Sequence, residues 1–142
     1  MKFSLTIALC VVFFLASFAQ AADDKTEIEK LIVETYIHGV YVIRDEDVVR
    51  RGFHSDFVLQ VYDDGNVVQE SLQQWLDRLQ LDGKRSTHTT DYKIEFIDVT
   101  GNSAVARLEV YQDSRHLYTD YFGFYKFEHG WRFVTKIFYG HE

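Results

Sequence analysis

The sequence predicts an α+β protein, with helices at the start of the domain and long antiparallel strands at its end. An apolar stripe at three- and four-residue spacing opens the domain, and the apolar period changes to two from about residue 87. Eleven aromatic residues, a composition typical of strands, lie from Tyr111 to Tyr139. Helices followed by an antiparallel meander define the α+β class.

The first helix is predicted from one apolar stripe. Thr26, with Glu29 three residues later, has the spacing of a capping box, so we expect the helix to begin there. The stripe consists of Ile28, Leu31, Ile32, Thr35, Tyr36, Gly39, Val40 and Ile43.

A second helix, a hairpin and a third helix follow. Acidic residues 45–47 favour a short helix that ends near Gly52. Residues 57–62 and 67–70 form two strands around a tight turn at 63–66. Ser71 then caps a helix that has Leu72, Trp75, Leu76 and Leu79 on one side.

Four long strands complete the domain. Tyr92, Ile94 and Phe96 alternate with polar residues, and the turn at 101–102 leads into a second alternating run. The third and fourth runs cover about 116–127 and 131–139. Because these last strands show little polar alternation, we expect both faces of the sheet to be covered.

Residues 1–21 have the pattern of a secretory signal peptide: Lys2, an apolar run over 3–18, and an A-x-A site that ends at Ala21. We therefore expect one mature domain, residues 22–142, that is secreted or periplasmic and has no membrane contact after cleavage. A permanent membrane anchor is the alternative. The single cysteine, Cys10, lies in the predicted signal peptide, so the mature chain has no disulfide.

The charge argues against nucleic acid as a partner. The chain has 15 basic and 22 acidic side chains, a net charge of −7, and phosphate backbones would repel it. The six histidines show no ligand spacing such as H-x-H or H-E-x-x-H, so local spacing predicts no metal site, although convergence in space stays open. No cofactor motif is present either.

The order of elements resembles the nuclear transport factor 2-like superfamily, and five stretches resemble its "putative lumazine-binding" branch. They are residues 36–41 (Y-I-H-G-V-Y), 53–56 (F-H-S-D), 118–122, 130–131 and 136–138. Ser55 departs from the pattern, where a proline is usual.

The resemblance implies a cone-shaped fold, with a strongly curved sheet and helices around a deep pocket. Similar folds isomerise steroids, dehydrate or cyclise polyketides, open epoxides, or bind a ligand without turnover. The resemblance carries over no catalytic residue.

Asp120 is the candidate polar group of that pocket. It lies between Tyr118 and Phe122 on one face of an aromatic strand, and an apolar cavity would suit it as a general acid or base. Alternatively, Asp120 bonds a tyrosine hydroxyl, or pairs with Arg107 or Lys136, and orders the sheet.

Three further residues, His54, Tyr36 and Trp75, are candidates for the pocket, whereas Tyr41 is not. His54 follows the second helix and could shuttle a proton beside Asp120; a local bond to Asp56 is the alternative. Tyr36 and Trp75 are candidate ligand contacts whose rings could equally belong to the core. Tyr41 follows Tyr36 by five residues and should point elsewhere on an α-helix. The candidate ligand contacts are Tyr36, His54, Trp75, Tyr118, Asp120 and Phe122.

Three functions remain open from the sequence. The first is an exported protein that holds an aromatic or apolar small molecule in an aromatic-lined pocket. The second is a lyase- or isomerase-like enzyme that uses Asp120 with His54 as acid and base. The third is a protein that acts by association through the outer face of its sheet. Abundant aromatics on both strand faces favour a homodimer in each case.

Overall fold

The computed structural model describes residues 20–141. A helix, α1, runs through residues 20–31 and continues as a π-helix over Ile32–Val42. The remaining elements are α2 (Glu46–Gly52), β1 (Phe53–Asp63), β2 (Asn66–Ser71), α3 (Leu72–Leu79), β3 (Thr90–Thr100), β4 (Ser103–Gln112), β5 (Arg115–Phe127) and β6 (Gly130–Gly140).

The strands form one curved, open sheet in the order β2-β1-β6-β5-β4-β3. Every neighbouring pair is antiparallel except β1 and β6, which are parallel. Register shifts interrupt four of the five ladders, and such bulges bend the strands that carry them. The predicted α+β class, with helices on a curved and mostly antiparallel sheet, is confirmed.

Local capping explains where the two short helices begin. The Asp45 side chain accepts a hydrogen bond from the Val48 amide at the start of α2. Ser71 and Gln74 form a reciprocal capping box at the start of α3. The capping box predicted at Thr26 is wrong, because Thr26 lies inside α1 and its hydroxyl donates to the carbonyl of Ala22, one turn earlier.

The core lies between the helices and the inner face of the sheet. This inner face includes Ala106, Leu108, Phe122, Phe124 and Phe133, all buried. Helix α1 packs on it through its apolar stripe, which confirms the predicted periodicity. Among the described residues, no helix combines the length and the apolar character needed to cross a bilayer.

The opposite face of the sheet, called the outer face below, is apolar but exposed. Tyr62, Tyr121, Tyr125, Ile137 and Tyr139 are each more than 40% exposed. The expectation that both faces are covered is therefore wrong for residues 20–141. The helices of this part of the chain all pack on the inner side, and aromatic side chains on the outer face remain in contact with solvent.

Candidate functional site

A cavity of about 110 Å³ lies between α1, α3 and the inner face of the sheet. We call it the helix–sheet cavity. Its wall is mainly aromatic and aliphatic, and its hydroxyl and charged groups come from three tyrosines, one arginine and one lysine. The lining residues are Tyr36, Val40, Tyr41, Leu59, Trp75, Arg78, Leu79, Tyr118, Lys136 and Phe138.

A buried ion pair lies at the closed end of this cavity. Lys136 Nζ is 2.9 Å from Asp120 Oδ1, and the two residues are 5% and 0% exposed. The Tyr36 hydroxyl donates to Asp120 Oδ2 over 2.7 Å and accepts from Lys136 Nζ over 2.6 Å. The Tyr36 hydroxyl therefore bridges the two residues through two charge-assisted hydrogen bonds, and Lys136 and Asp120 face each other directly as an ion pair.

Aromatic rings surround the Lys136 ammonium. Its Nζ lies 4.8 Å from the Tyr36 ring centroid and 5.2 to 5.8 Å from four others, Trp75, Tyr118, Phe122 and Phe138. Cation–π attraction compensates part of the lost hydration. Burial lowers the pKa of Lys136 from its ordinary value, and the neighbouring carboxylate of Asp120 opposes this shift.

Tyr41 extends the network toward the cavity. Its hydroxyl is 3.1 Å from that of Tyr36, and because the Tyr36 proton is already donated to Asp120, Tyr41 is the donor. Burial raises the pKa of both tyrosines, and the Asp120 charge raises it further. Both phenols therefore stay protonated at neutral pH.

The expectation that Tyr36 and Tyr41 point in different directions is wrong. It assumed an α-helix, whereas α1 is π-helical here, and its end is marked by a hydrogen bond from the Ile43 amide to the carbonyl of His38, five residues earlier. Hydrogen bonding at this spacing places residues five apart on the same side of the helix. The two rings meet edge to face, with centroids 5.5 Å apart.

The structure brings five of the six predicted ligand contacts together. Tyr36, Trp75 and Tyr118 line the cavity. Asp120 lies behind the Tyr36 hydroxyl, and the Phe122 ring packs against the Tyr36 ring with centroids 4.9 Å apart, so neither of these two is a lining residue.

His54 is the exception and has to be corrected. Its ring stacks on Phe127 at 4.5 Å and its Nδ1 accepts from the amide of Asp56, at the start of β1 and away from the cavity. The local bond to Asp56 is the alternative already considered. His54 therefore does not reach Asp120, which removes this pair as an acid/base couple.

Two polar side chains of this network that line the cavity, Lys136 and Tyr41, are not among the predicted ligand contacts. Lys136 was considered only as a partner that neutralises Asp120, and Tyr41 was placed on another side of the helix. A period-two count along β6 would have found Lys136, because it precedes the inward Phe138 by two residues. Tyr41 carries no such signal, since its position depends on the π-helix.

Comparison with known proteins agrees with this architecture. Residues 23–139 match the family described as "putative lumazine-binding", and the chain belongs to that family. No curated protein sequence matches it significantly.

Solved structures show the same fold. A nuclear transport factor 2-like protein of unknown function from Shewanella baltica is 24% identical, with a TM-score of 0.72 over 85% of this chain and 96% of that one. Similar proteins of unknown function come from Silicibacter pomeroyi (17% identity, TM-score 0.71, 84% and 98% covered) and Methylobacillus flagellatus (21%, 0.69, 84% and 94%). The predicted membership of the superfamily is confirmed.

Proposed function

We propose that this protein is exported and binds a small, neutral, aromatic molecule in the helix–sheet cavity. The observation that carries the proposal is the Lys136 ammonium, a buried cation that lines an otherwise mostly apolar cavity. Binding sites in proteins typically combine apolar walls with a few fixed polar groups in this way. The fold is a ligand-binding one, and the proposal adds the site and the ligand class.

The volume and the charge of the cavity restrict the ligand. About 110 Å³ is less than the roughly 150 Å³ of an engineered cavity that holds benzene. The cavity therefore takes one ring edge or a very small molecule, and the rest of a larger ligand would extend past Arg78, which is exposed. Lys136 and Asp120 neutralise each other, and Arg78 is paired with Glu70 at 2.9 Å, so a neutral ligand fits best.

The polar groups also define which atoms the ligand should present. Within the described chain, the Lys136 ammonium donates to the Tyr36 hydroxyl and faces Asp120 in an ion pair, which leaves at least one of its three N–H groups for a ligand acceptor. The Tyr41 oxygen donates to Tyr36 and can still accept a hydrogen bond from a ligand. A planar ring with a carbonyl beside an N–H group satisfies both, and Trp75 and Tyr118 provide aromatic walls for it.

Lumazine, the compound in the family description, has this pattern of donors and acceptors and is a suitable probe. The chain has two tryptophans, and only Trp75 lines the cavity. Titration with lumazine should quench tryptophan fluorescence, and the change should persist in Trp131→Phe and be lost in Trp75→Phe. In parallel, mass spectrometry of the protein purified from its source cells should identify a neutral ring compound.

Matched variants separate cavity binding from other effects. Val40→Phe should abolish binding because its ring fills the cavity. Tyr41→Phe should weaken binding by about 0.5–1.5 kcal/mol, the usual value of one neutral hydrogen bond. Tyr121→Phe, on the exposed outer face, is the control and should bind as the parent does. A bound compound that Val40→Phe retains would contradict the proposed site.

Export is part of the same proposal and rests on the charged start, the apolar run and the A-x-A site of residues 1–21. The signal peptide lies mostly outside the described residues. Cleavage after Ala21 predicts a native protein that starts at Ala22, which N-terminal sequencing can test. Intact Met1 in a membrane fraction would contradict it.

We also propose that the protein is a homodimer through the outer face. The exposed Tyr62, Tyr121, Ile137 and Tyr139 surround a depression of about 270 Å³, and a second copy would bury this apolar surface. Sedimentation equilibrium at micromolar concentration should give twice the chain mass, and Ile137→Asp should give a monomer. A monomeric parent protein would exclude this dimer.

A further inference from the structure

A second cluster of ionisable side chains lies on the outer face, near the start of β5. Glu109 is only 3% exposed there, and its paired neighbour Thr119 is 7% exposed, although Tyr121 and Tyr139 on the same face are open to solvent. Its Oε2 is 2.7 Å from His116 Nε2 and accepts from the Thr119 hydroxyl over 2.5 Å. The Thr119 hydroxyl is in turn 2.9 Å from His141 Nε2. We call Glu109, His116 and His141 the outer-face cluster.

Neighbouring side chains hold these groups in place. The rings of His116 and His141 stack with centroids 3.6 Å apart. Tyr111 stacks on His116 at 4.5 Å, and Tyr139 meets His141 edge to face at 4.9 Å. The nitrogen atoms of both imidazoles are thereby kept near the Glu109 carboxylate.

Arg107 fixes the orientation of that carboxylate. Its guanidinium donates to Glu109 Oε1 over 2.6 Å, and Oε2 is directed to His116 and Thr119. A hydrogen-bonded ligand carboxylate of this kind is a regular feature around metal ions. One candidate donor atom from each member of the outer-face cluster lies within 4.8 Å of the others.

We propose that Glu109, His116 and His141 bind a divalent transition-metal ion of the Zn²⁺ type. Two imidazole nitrogens and one carboxylate oxygen form a ligand set typical of Zn²⁺, with water in the fourth position. Mg²⁺ and Ca²⁺ prefer oxygen ligands only and do not suit it. To bring both ring nitrogens to about 2.1 Å from one ion, the two stacked imidazoles have to rotate apart. Binding replaces the hydrogen bond of His116 Nε2 with Glu109 and that of His141 Nε2 with Thr119, and each neutral imidazole then carries its proton on Nδ1.

The topology explains why local spacing predicts no such site. Glu109 lies on β4, His116 at the start of β5, and His141 directly after β6. The pairing of Glu109 with Thr119, and of Thr119 with Tyr139, brings the three strands together at this point. A bound ion would therefore tie the C-terminal residues to the sheet.

Calorimetric titration with ZnCl₂ tests the proposal. The full chain, purified without a polyhistidine tag and freed of metal with a chelator, should bind one ion per chain near neutral pH. His116→Ala and His141→Ala should each weaken Zn²⁺ binding at least about tenfold. Loss of a residue that only hydrogen-bonds a metal ligand already weakens binding by about ten- to a hundredfold, and these two histidines are proposed as ligands themselves. His129→Ala, in the exposed turn before β6, is the matched control and should not change affinity.

A stability measurement keeps the test valid if an alanine variant folds poorly. Zn²⁺ should raise the melting temperature of the parent protein and of His129→Ala, and should not raise that of Glu109→Gln, which keeps its shape and loses its charge. The absence of saturable binding by the parent would overturn the proposal. The cluster would then serve only to hydrogen-bond His141 to the sheet. Equal binding by the parent and both cluster histidine variants would overturn it as well.

Discussion

Replacing Lys136 with methionine should destabilise the protein strongly, because it leaves Asp120 as a buried carboxylate without its cation. Asp120 is 0% exposed and Lys136 only 5%, so water cannot take the place of the ammonium. Removing one partner of such a pair costs about 3–5 kcal/mol. Methionine has a similar volume, which keeps the packing cost small. The bond from Tyr36 to Asp120 Oδ2 remains and compensates part of the loss. We therefore expect a loss of about 3 kcal/mol.

Urea unfolding at neutral pH measures this loss, which corresponds to a melting temperature lower by about 10 °C.

The double variant Asp120→Asn with Lys136→Met removes both charges and should recover most of the stability, since an apolar or neutral replacement of a buried pair is often close to neutral. Lys93→Met, which breaks the exposed pair with Glu95, is the control and should leave the free energy of unfolding unchanged. If Lys136→Met lowers the free energy of unfolding by less than about 1 kcal/mol, the pair does not behave as a buried one, because ion pairs open to water contribute no more than that.

Three further predictions use the same unfolding measurement. Gly52→Ala should lower the free energy of unfolding by about 1–3 kcal/mol, because the new Cβ would lie 2.7 Å from Thr35 Cβ. Gly140→Ala, whose new Cβ would have its nearest neighbour at 3.6 Å, should leave the free energy of unfolding unchanged. Burial acts to raise the pKa of Asp24, but its hydrogen bonds and its ion pair outweigh burial and lower the pKa from 3.8. The stability that ionised Asp24 contributes is therefore present above pH 3.8 and is lost as the pH falls below it. Asp24→Asn should accordingly lose stability less steeply in acid than the parent. Burial raises the pKa of Tyr41 above 10.0, so the stability that its neutral hydroxyl contributes is lost as the pH rises past that value. Tyr41→Phe should therefore lose stability less steeply at alkaline pH than the parent. A variant with the same acid or alkaline slope as the parent would contradict the corresponding assignment.

The fold could be predicted from the sequence because its signals are local. The starts of α2 and α3 follow from side chains that cap the helix within three residues, and the four long strands follow from aromatic and β-branched runs. The start of α1 could not be predicted from Thr26, because a threonine inside a helix can bond the preceding turn as well as it can cap one. The exposed outer face was missed because aromatic residues on both sides of a strand do not tell which side the helices cover.

The candidate site could be predicted only in part, since it depends on relations between elements. Period two along β5 was enough to place Asp120 with Phe122 on the inner face. The position of His54 depends on where β1 begins, and Tyr41 reaches the network only because α1 is π-helical. Neither feature has a recognisable pattern in this sequence.

The buried pair is better explained by positioning than by stability. A lysine and an aspartate inside an apolar core contribute little net stability compared with apolar residues of the same size. The pair instead orients the hydrogen bonds around the cavity. Asp120 accepts the Tyr36 proton, so Tyr36 accepts from Tyr41. Tyr36 and Asp120 also hold the Lys136 ammonium, which keeps at least one N–H group for the cavity. Polar groups fixed before the ligand arrives lose little conformational freedom on binding. In the proposed site Asp120 would therefore act through Tyr36 and Lys136, and the groups that would meet the ligand are the Lys136 ammonium and the Tyr41 hydroxyl.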